Sequence, residues 1–220
     1  MLKPRRLWLL PVLVTGLIWV LDRSFPLPIP PGPSIRVLAE NGELLRAFPA
    51  PDQTWRYPVT PEQVAPVYRE VLLAYEDRAF YRHPGINPLA ILRAAGQNLK
   101  AGRVVSGGST LSMQVAGMLD PYPRTFGGKV RQALRTLQLE WHYSKDEILA
   151  LYLNLAPFGG MLSGVESASW HYFGKPALQL SDAEAALLAV LPQRPSDWRP
   201  DRYPQRARRA RDKGLQRMQK

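Results

Sequence analysis

From Thr60 onward, apolar residues recur at helical spacing along most of the chain. Thr60-Pro61-Glu62-Gln63 offers an N-cap, a proline at the first helical position and a glutamine at the capping-box position. Val64, Val67, Val71, Leu72 and Tyr75 follow, so the spacing predicts a helix from Pro61 that delivers Glu76. After the Pro84-Gly85 break, Asn87-Pro88 opens a second helix through Ile91, Leu92, Ala95 and Leu99, ending near Gly102. Phe126-Gly127-Gly128 reads as another break, followed by a helix over Lys129 to Tyr143. Ser144-Lys145-Asp146-Glu147 and Ser181-Asp182-Ala183-Glu184 are capping boxes, the first opening a helix to Asn154 and the second an alanine-leucine helix to Leu191. Between them, glycines 159, 160 and 164 make an irregular turn, and a helix runs from Val165 to Tyr172. Gln205 to Lys220 completes the helical pattern.

The chain ahead of Thr60 is patterned differently. Leu7 to Leu21 is an uncharged apolar run of fifteen residues behind Lys3, Arg5 and Arg6. At helical rise it spans roughly 22 Å, short of a hydrocarbon core of about 30 Å, so it suits a signal-peptide core or a short anchor. Asp22-Arg23-Ser24-Phe25-Pro26 does not look like a cleavage site, which favours an uncleaved anchor with the basic flank in the cytoplasm and the rest exported. Phe25 to Pro33 holds five prolines in nine residues and reads as a stiff spacer. Ile35 to Leu38 and Leu44 to Phe48, flanking Glu40-Asn41-Gly42-Glu43, predict a small β-hairpin. The expected organisation is therefore a cytoplasmic flank and anchor over 1–24, linker and hairpin over 25–59, and one domain over 60–220.

Composition narrows the chemistry. The 220 residues suffice for one domain plus an appendage, and 29 Lys+Arg against 18 Asp+Glu give a net charge of +11, which points to an anionic partner. Seven of those charges fall in residues 199–220, so most of the basic signal is a tail. The absence of cysteine excludes disulfides, thiolate metal sites and a cysteine nucleophile. Three histidines without HExxH spacing make a histidine-rich zinc site a poor fit.

Candidate chemistry concentrates between Leu72 and Gly85. There an apolar helix runs into Glu76-Asp77-Arg78, then Phe80, Tyr81 and His83. A carboxylate carried into a cleft by a buried helix is a usable general base, although the same acids also fit a solvated helix end. Ser106 to Gln114 is a glycine-rich loop leading into a helix, where backbone N–H groups, the hydroxyls of Ser109 and Thr110, and Gln114 can hold an anionic oxygen. It lacks the P-loop lysine. Lys129, Arg131 and Arg135 form a basic helix face that suits either solvent or a pyrophosphate.

Taken together, these stretches resemble one family, the peptidoglycan glycosyltransferase domain (family 51) of class A penicillin-binding proteins and monofunctional transglycosylases. The resemblance rests on Glu76-Asp77-Arg78-Ala79-Phe80 with His83 and Gly85, on Gly107 to Leu111 with Gln114, on Ser144 to Leu149 with Tyr152-Leu153-Asn154, and on Leu191 to Ser196, in family order. Gly127 to Gln132, Leu137 to His142 and Ala156 to Gly160 are most similar to the penicillin-binding protein 1C branch. The resemblance implies a mainly α, lysozyme-like glycosyltransferase domain with a small N-terminal β-hairpin and an N-terminal anchor helix, working at the outer face of the bacterial cytoplasmic membrane. It implies polymerisation of lipid II onto a growing glycan chain with release of undecaprenyl pyrophosphate. Glu76 would be the base, Asp77, Arg78, Phe80 and His83 its pocket, and Ser109, Thr110 and Gln114 the cleft lining. Lys129, Arg131 and Gln132 would face the pyrophosphate, often together with Mg2+ or Mn2+. Other cell wall synthesis proteins are implied as possible partners, and nucleic acid is not.

Three positions depart from the family pattern. Its third motif reads arginine, lysine, two variable residues and glutamate, whereas here Gly128, Lys129, Val130, Arg131 and Gln132 stand in order. Gly117 occupies a position that is often lysine, and either Arg124 or Arg131 can supply the missing charge. These departures sustain an alternative, a catalytically weak anchored scaffold of wall synthesis. No serine is followed three residues later by lysine, so no transpeptidase signature is expected.

Overall fold

The computed structural model describes residues 9–41, 44–103 and 107–218. Among them the architecture is mainly helical, with two small antiparallel two-stranded sheets. Helix α1 (Leu9–Ser24) and the hairpin β1 (Ile35–Leu38) and β2 (Leu44–Phe48) precede the main body. That body comprises α2 (Pro66–Glu76), α3 (Pro88–Ala101), α4 (Leu111–Leu119), α5 (Phe126–His142) and α6 (Lys145–Leu155). Strands β3 (Pro157–Gly159) and β4 (Leu162–Ser163) follow, then α7 (Val165–Phe173), α8 (Asp182–Val190) and α9 (Pro204–Met218). The expected hairpin forms, pairing Ile35 with Phe48 and Val37 with Arg46, while its turn residues Gly42 and Glu43 lie outside the described residues.

Helix α8 is the centre of the core. Ala185 to Val190 are buried throughout, and α8 packs between α2 and α9. Its start is the predicted capping box, with Ser181 N–H donating to Glu184 Oε2 at 2.8 Å. The box at Ser144 closes the same way onto Glu147 at 2.7 Å. On the other side, α4 packs against α5 and α6. Tyr68, Leu72, Phe80, Leu111, Leu139, Ile148, Tyr152 and Leu153 join these helices into one buried cluster.

Two expected helix starts are corrected. The Thr60 capping box is present, but it closes only a single 3-10 turn over Pro61–Gln63, and α2 begins at Pro66. Pro66 keeps Ala65 extended (φ −48°, ψ 130°), so the helix cannot run through it from Pro61. Conversely, α5 begins at Phe126 and passes through Gly127-Gly128, because Thr125 caps it by accepting from Gly128 N–H at 3.1 Å. The irregular turn at glycines 159, 160 and 164 also holds the short β3–β4 pair. All three glycines there take positive φ.

The segment ahead of α2 docks on the domain. Trp55 bridges Leu162 in parallel, and Arg56 is buried with its guanidinium donating to Ser163 Oγ, Gly32 O and Asp52. The end of α1 is tied to α5, where Gln138 Nε2 donates to Asp22 Oδ1 at 2.8 Å and Arg135 donates to Phe25 O at 2.7 Å. No helix among the described residues is long and apolar enough to cross a membrane. Lys3, Arg5, Arg6, Leu7 and Trp8, which belong to the predicted anchor and its flank, lie outside the described residues.

Candidate active site

Glu76 is the last residue of α2, a helix whose Tyr68, Val71 and Leu72 are sunk in the core. That burial fixes where the carboxylate emerges. Gln114 Nε2, from α4, donates to Glu76 Oε2 at 2.9 Å, and Gln193 Nε2 donates to Oε1 at 2.9 Å. Two neutral amides, one on each oxygen, thus set the direction of the half-buried carboxylate. Tyr75 in turn steadies Gln193, its hydroxyl donating to Oε1 at 3.2 Å. Behind Glu76 stand the fully buried Tyr68 and Tyr152, whose hydroxyls have no hydrogen-bond partner among the described residues. Burial first, and the negative charge of Glu76 second, push both phenols well above their ordinary value, so they form a protonated wall.

Asp77 points the other way. It is 8% exposed, both carboxylate oxygens lie 3.0 Å from His83 Nε2, and Oδ2 accepts from Leu111 N–H at 3.1 Å. Thr110 caps α4 by accepting from Met113 N–H at 3.1 Å and donates its hydroxyl to Gly85 O. Asp77, His83 and Thr110 therefore form a clasp joining the end of α2, the turn at Gly85 and the start of α4. Phe80 is buried in the core beneath Lys145, whose Nζ lies 4.7 Å from the ring centre, and the exposed Arg78 donates back to Ala74 O at 3.3 Å.

A cleft of about 380 Å³ opens beside Gln114, lined by residues that include Ser109, Gln114, Tyr122, Arg124, Gln132 and Tyr152. Gln132 is 3% exposed, and its amide is used at both ends: Lys129 Nζ donates to Oε1 at 3.1 Å and Nε2 donates to Met113 O at 2.7 Å. Arg131 and Arg135 share Asp120, at 2.6 Å and 2.8 Å. Burial raises the affinity of Asp120 for a proton, but the two guanidiniums outweigh it and the carboxyl ends below its usual range. Glu140, two turns beyond Gln132, accepts from Ser112 and pairs with Lys145 at 2.7 Å.

Ser109, Gln114 and Gln132 thus line the cleft, Glu76 and Lys129 are hydrogen-bonded to Gln114 and Gln132 respectively, and Asp77, His83 and Thr110 form the clasp. Gln193, Tyr122 and Tyr152 were missed as site residues by sequence reasoning. Gln193 and Tyr152 lay inside stretches already singled out, Leu191 to Ser196 and Tyr152 to Asn154, but nothing in spacing alone turns their side chains toward Glu76.

The structure defines a mainly helical domain with a cleft, one of whose lining residues, Gln114, holds the carboxylate of Glu76, and comparison with known proteins gives the family. A model described as transglycosylase matches residues 41–219, and the chain belongs to that family. It is 57% identical over 209 residues to penicillin-binding protein 1C of Escherichia coli (strain K12), covering 94% of this chain and 27% of that protein. Penicillin-binding protein 1A of Aquifex aeolicus (strain VF5) is 41% identical over 164 residues, covering 74% of this chain and 23% of that protein. A solved structure of penicillin-binding protein 1A from Haemophilus influenzae aligns over 87% of this chain and 18% of that one, with 20% identity and a TM-score of 0.45. The chain spans about a quarter of the length of the curated relatives it matches.

Proposed function

We propose that this chain is a peptidoglycan glycosyltransferase that polymerises lipid II and releases undecaprenyl pyrophosphate. The observation that carries the reading is Glu76, held by Gln193 and by Gln114, which lines the cleft, within a chain of the transglycosylase family. In this reading Glu76 takes the proton of the C4 hydroxyl of the incoming lipid II as that oxygen attacks C1 of the glycan chain's terminal sugar. The C1–oxygen bond to the pyrophosphate breaks, and the leaving group departs with the electron pair. Positive charge is needed where that negative charge develops, and Lys129, steadied by Gln132, supplies it. Asp77 and His83 contribute by holding α2 against α4 so that Glu76 and Gln114 stay in register.

A divalent cation, Mg2+ or Mn2+, belongs to this reading as a companion of the substrate's own pyrophosphate. The chain's residues do not fit a dedicated cage: among the described residues no three acidic or histidine side chains gather, and Gln132 spends its amide on Lys129 and Met113. No step is routed through the cation.

The reading also places the domain at the outer face of the cytoplasmic membrane, held by an N-terminal anchor that includes α1. Exposed apolar side chains support it: Leu89, Leu92 and Leu99 on α3, Phe126, Leu134 and Trp141 on α5, and Trp19 on α1. Incubation of the purified chain with lipid II and a divalent cation tests the activity. Glycan polymer from the wild type and none from Glu76→Gln is expected. No polymer from the wild type under any condition leaves the scaffold reading instead.

A further inference from the structure

Two buried hydroxyls near Glu76 have no part in the chemistry proposed for it. Tyr68 lies on α2, two turns before Glu76, and Tyr152 lies on α6. Both side chains are sealed in the core, and neither phenol oxygen has a hydrogen-bond partner among the described residues. A phenylalanine ring would fill nearly the same volume. Burying a hydroxyl without a partner costs stability, and buried polar atoms in folded proteins are paired with few exceptions, so two such oxygens in one region call for a shared partner.

Their placement identifies it. Tyr152 borders the cleft together with Gln114, and Gln114 Nε2 donates to Glu76 Oε2 at 2.9 Å, so α6, α4 and α2 bring the phenol, the amide and the carboxylate together. Tyr68 comes from the helix that carries Glu76; both phenols feel the charge of Glu76, and Tyr152 feels Tyr68 as well. A phenol that stays protonated beside an anion turns its O–H toward that anion as a donor. Neither hydroxyl bonds the carboxylate directly, and one water can span the distance, because it accepts from two hydroxyls and donates to a carboxylate oxygen. Three partners is the usual number for an ordered internal water.

We propose that a single internal water accepts from the hydroxyls of Tyr68 and Tyr152 and donates to the Glu76 carboxylate, which makes both tyrosines positioning residues for Glu76. A hydrogen bond donated to the charged form favours that form, so the link offsets the burial of Glu76 and keeps it ionised as a base. Of the other neighbours of Glu76, Gln114 and Gln193 are neutral, Tyr75 acts through Gln193, Asp77 is turned to His83 and Leu111 N–H, and Arg78 donates back to Ala74 O.

This inference rests on the reading of Glu76 as the base, and its test has a readout that needs no polymer. The full chain, carrying isotope-labelled glutamate, is titrated by NMR, the Glu76 carboxyl being the signal that Glu76→Gln removes, with lipid II polymerisation measured in parallel. Tyr68→Phe and Tyr152→Phe are each expected to raise the pH of half-protonation by about one pH unit, the loss of a hydrogen bond donated to a charged group. The double variant should shift little further, because either change alone releases the same water. Each single variant should also lower the melting temperature by a few degrees, whereas deleting an unpartnered hydroxyl would leave it level or raise it. Tyr172→Phe, which deletes a hydroxyl that donates to Phe158 O, should leave the Glu76 titration in place. A Glu76 titration unmoved by both tyrosine variants, a fully additive double variant, or level or raised melting temperatures overturns the link. A titration that shifts as expected without any polymer from lipid II overturns the polymerase reading and leaves the link standing.

Discussion

Glu76 and Asp77 are neighbours in sequence and opposites in setting. On the Asp77 side, the carboxylate is buried, meets an imidazole and a backbone N–H, and ties three segments together. On the Glu76 side, the carboxylate is half-buried and held by two neutral amides, one of which, Gln114, lines the cleft. The end of one helix thus separates two settings of the same functional group: one fixes the frame, and the other is the base of the proposed function. The C-terminus of α2 makes this separation possible, because the chain turns extended at Asp77 (φ −161°, ψ 78°) and sends successive side chains to different faces.

The largest effect on stability should come from breaking the clasp. Asp77→Ala leaves His83 and Leu111 N–H buried without their acceptor and is expected to cost about 3 kcal/mol, read from denaturant unfolding. An Asp77→Ala chain that unfolds like the wild type would make the clasp dispensable. Next, Gln114→Ala and Gln193→Ala should each lower the polymerisation rate about tenfold while leaving the melting temperature within a few degrees, since they release Glu76 rather than the core. Acid should act further down the scale. The carboxyls of Asp52, lowered to about 2 chiefly by the Thr54 hydroxyl, and of Asp120 both lie below their ordinary range in the folded chain. The stability they contribute is complete above the ordinary carboxylate value and is lost as pH falls toward the folded values, so melting temperature should hold from pH 8 to 5 and decline below about pH 4. Asp120→Asn should start less stable at neutral pH and decline less on acidification. Leu92→Ser, on the exposed face of α3, should be the smallest, within about 0.5 kcal/mol of wild-type stability.

Much of this frame was legible in the sequence because it depends on neighbours along the chain. The capping boxes at Ser144 and Ser181, the hairpin around Glu40-Asn41, and the helix that carries Glu76 are all local signals. Where local signals competed, reading was harder: Pro66 overrode the attractive start at Thr60, and Thr125 turned two glycines that looked like a break into the first turn of α5. The partners of Glu76 were less accessible still. Gln193 lies 117 residues away, and only the packing of α8 against α2 brings it over the carboxylate. The role of Gly128 is equally invisible to spacing, because the carbonyl that excludes a side chain there, that of Pro123, belongs to the segment joining α4 to α5. The family resemblance already marked Gln132 as standing where an acid was expected. The structure adds why an acid would fit badly, since its Nε2 donates to the Met113 carbonyl and a carboxylate oxygen there would face that carbonyl as a second acceptor.

The division between Glu76 and Asp77 is tested most directly by assaying Glu76→Gln and Asp77→Asn side by side for lipid II polymerisation and thermal unfolding. Glu76→Gln should melt within a few degrees of the wild type and make no polymer, whereas Asp77→Asn should melt markedly lower and still polymerise at temperatures where it remains folded. Polymer from a folded Glu76→Gln chain would contradict the assignment of the base.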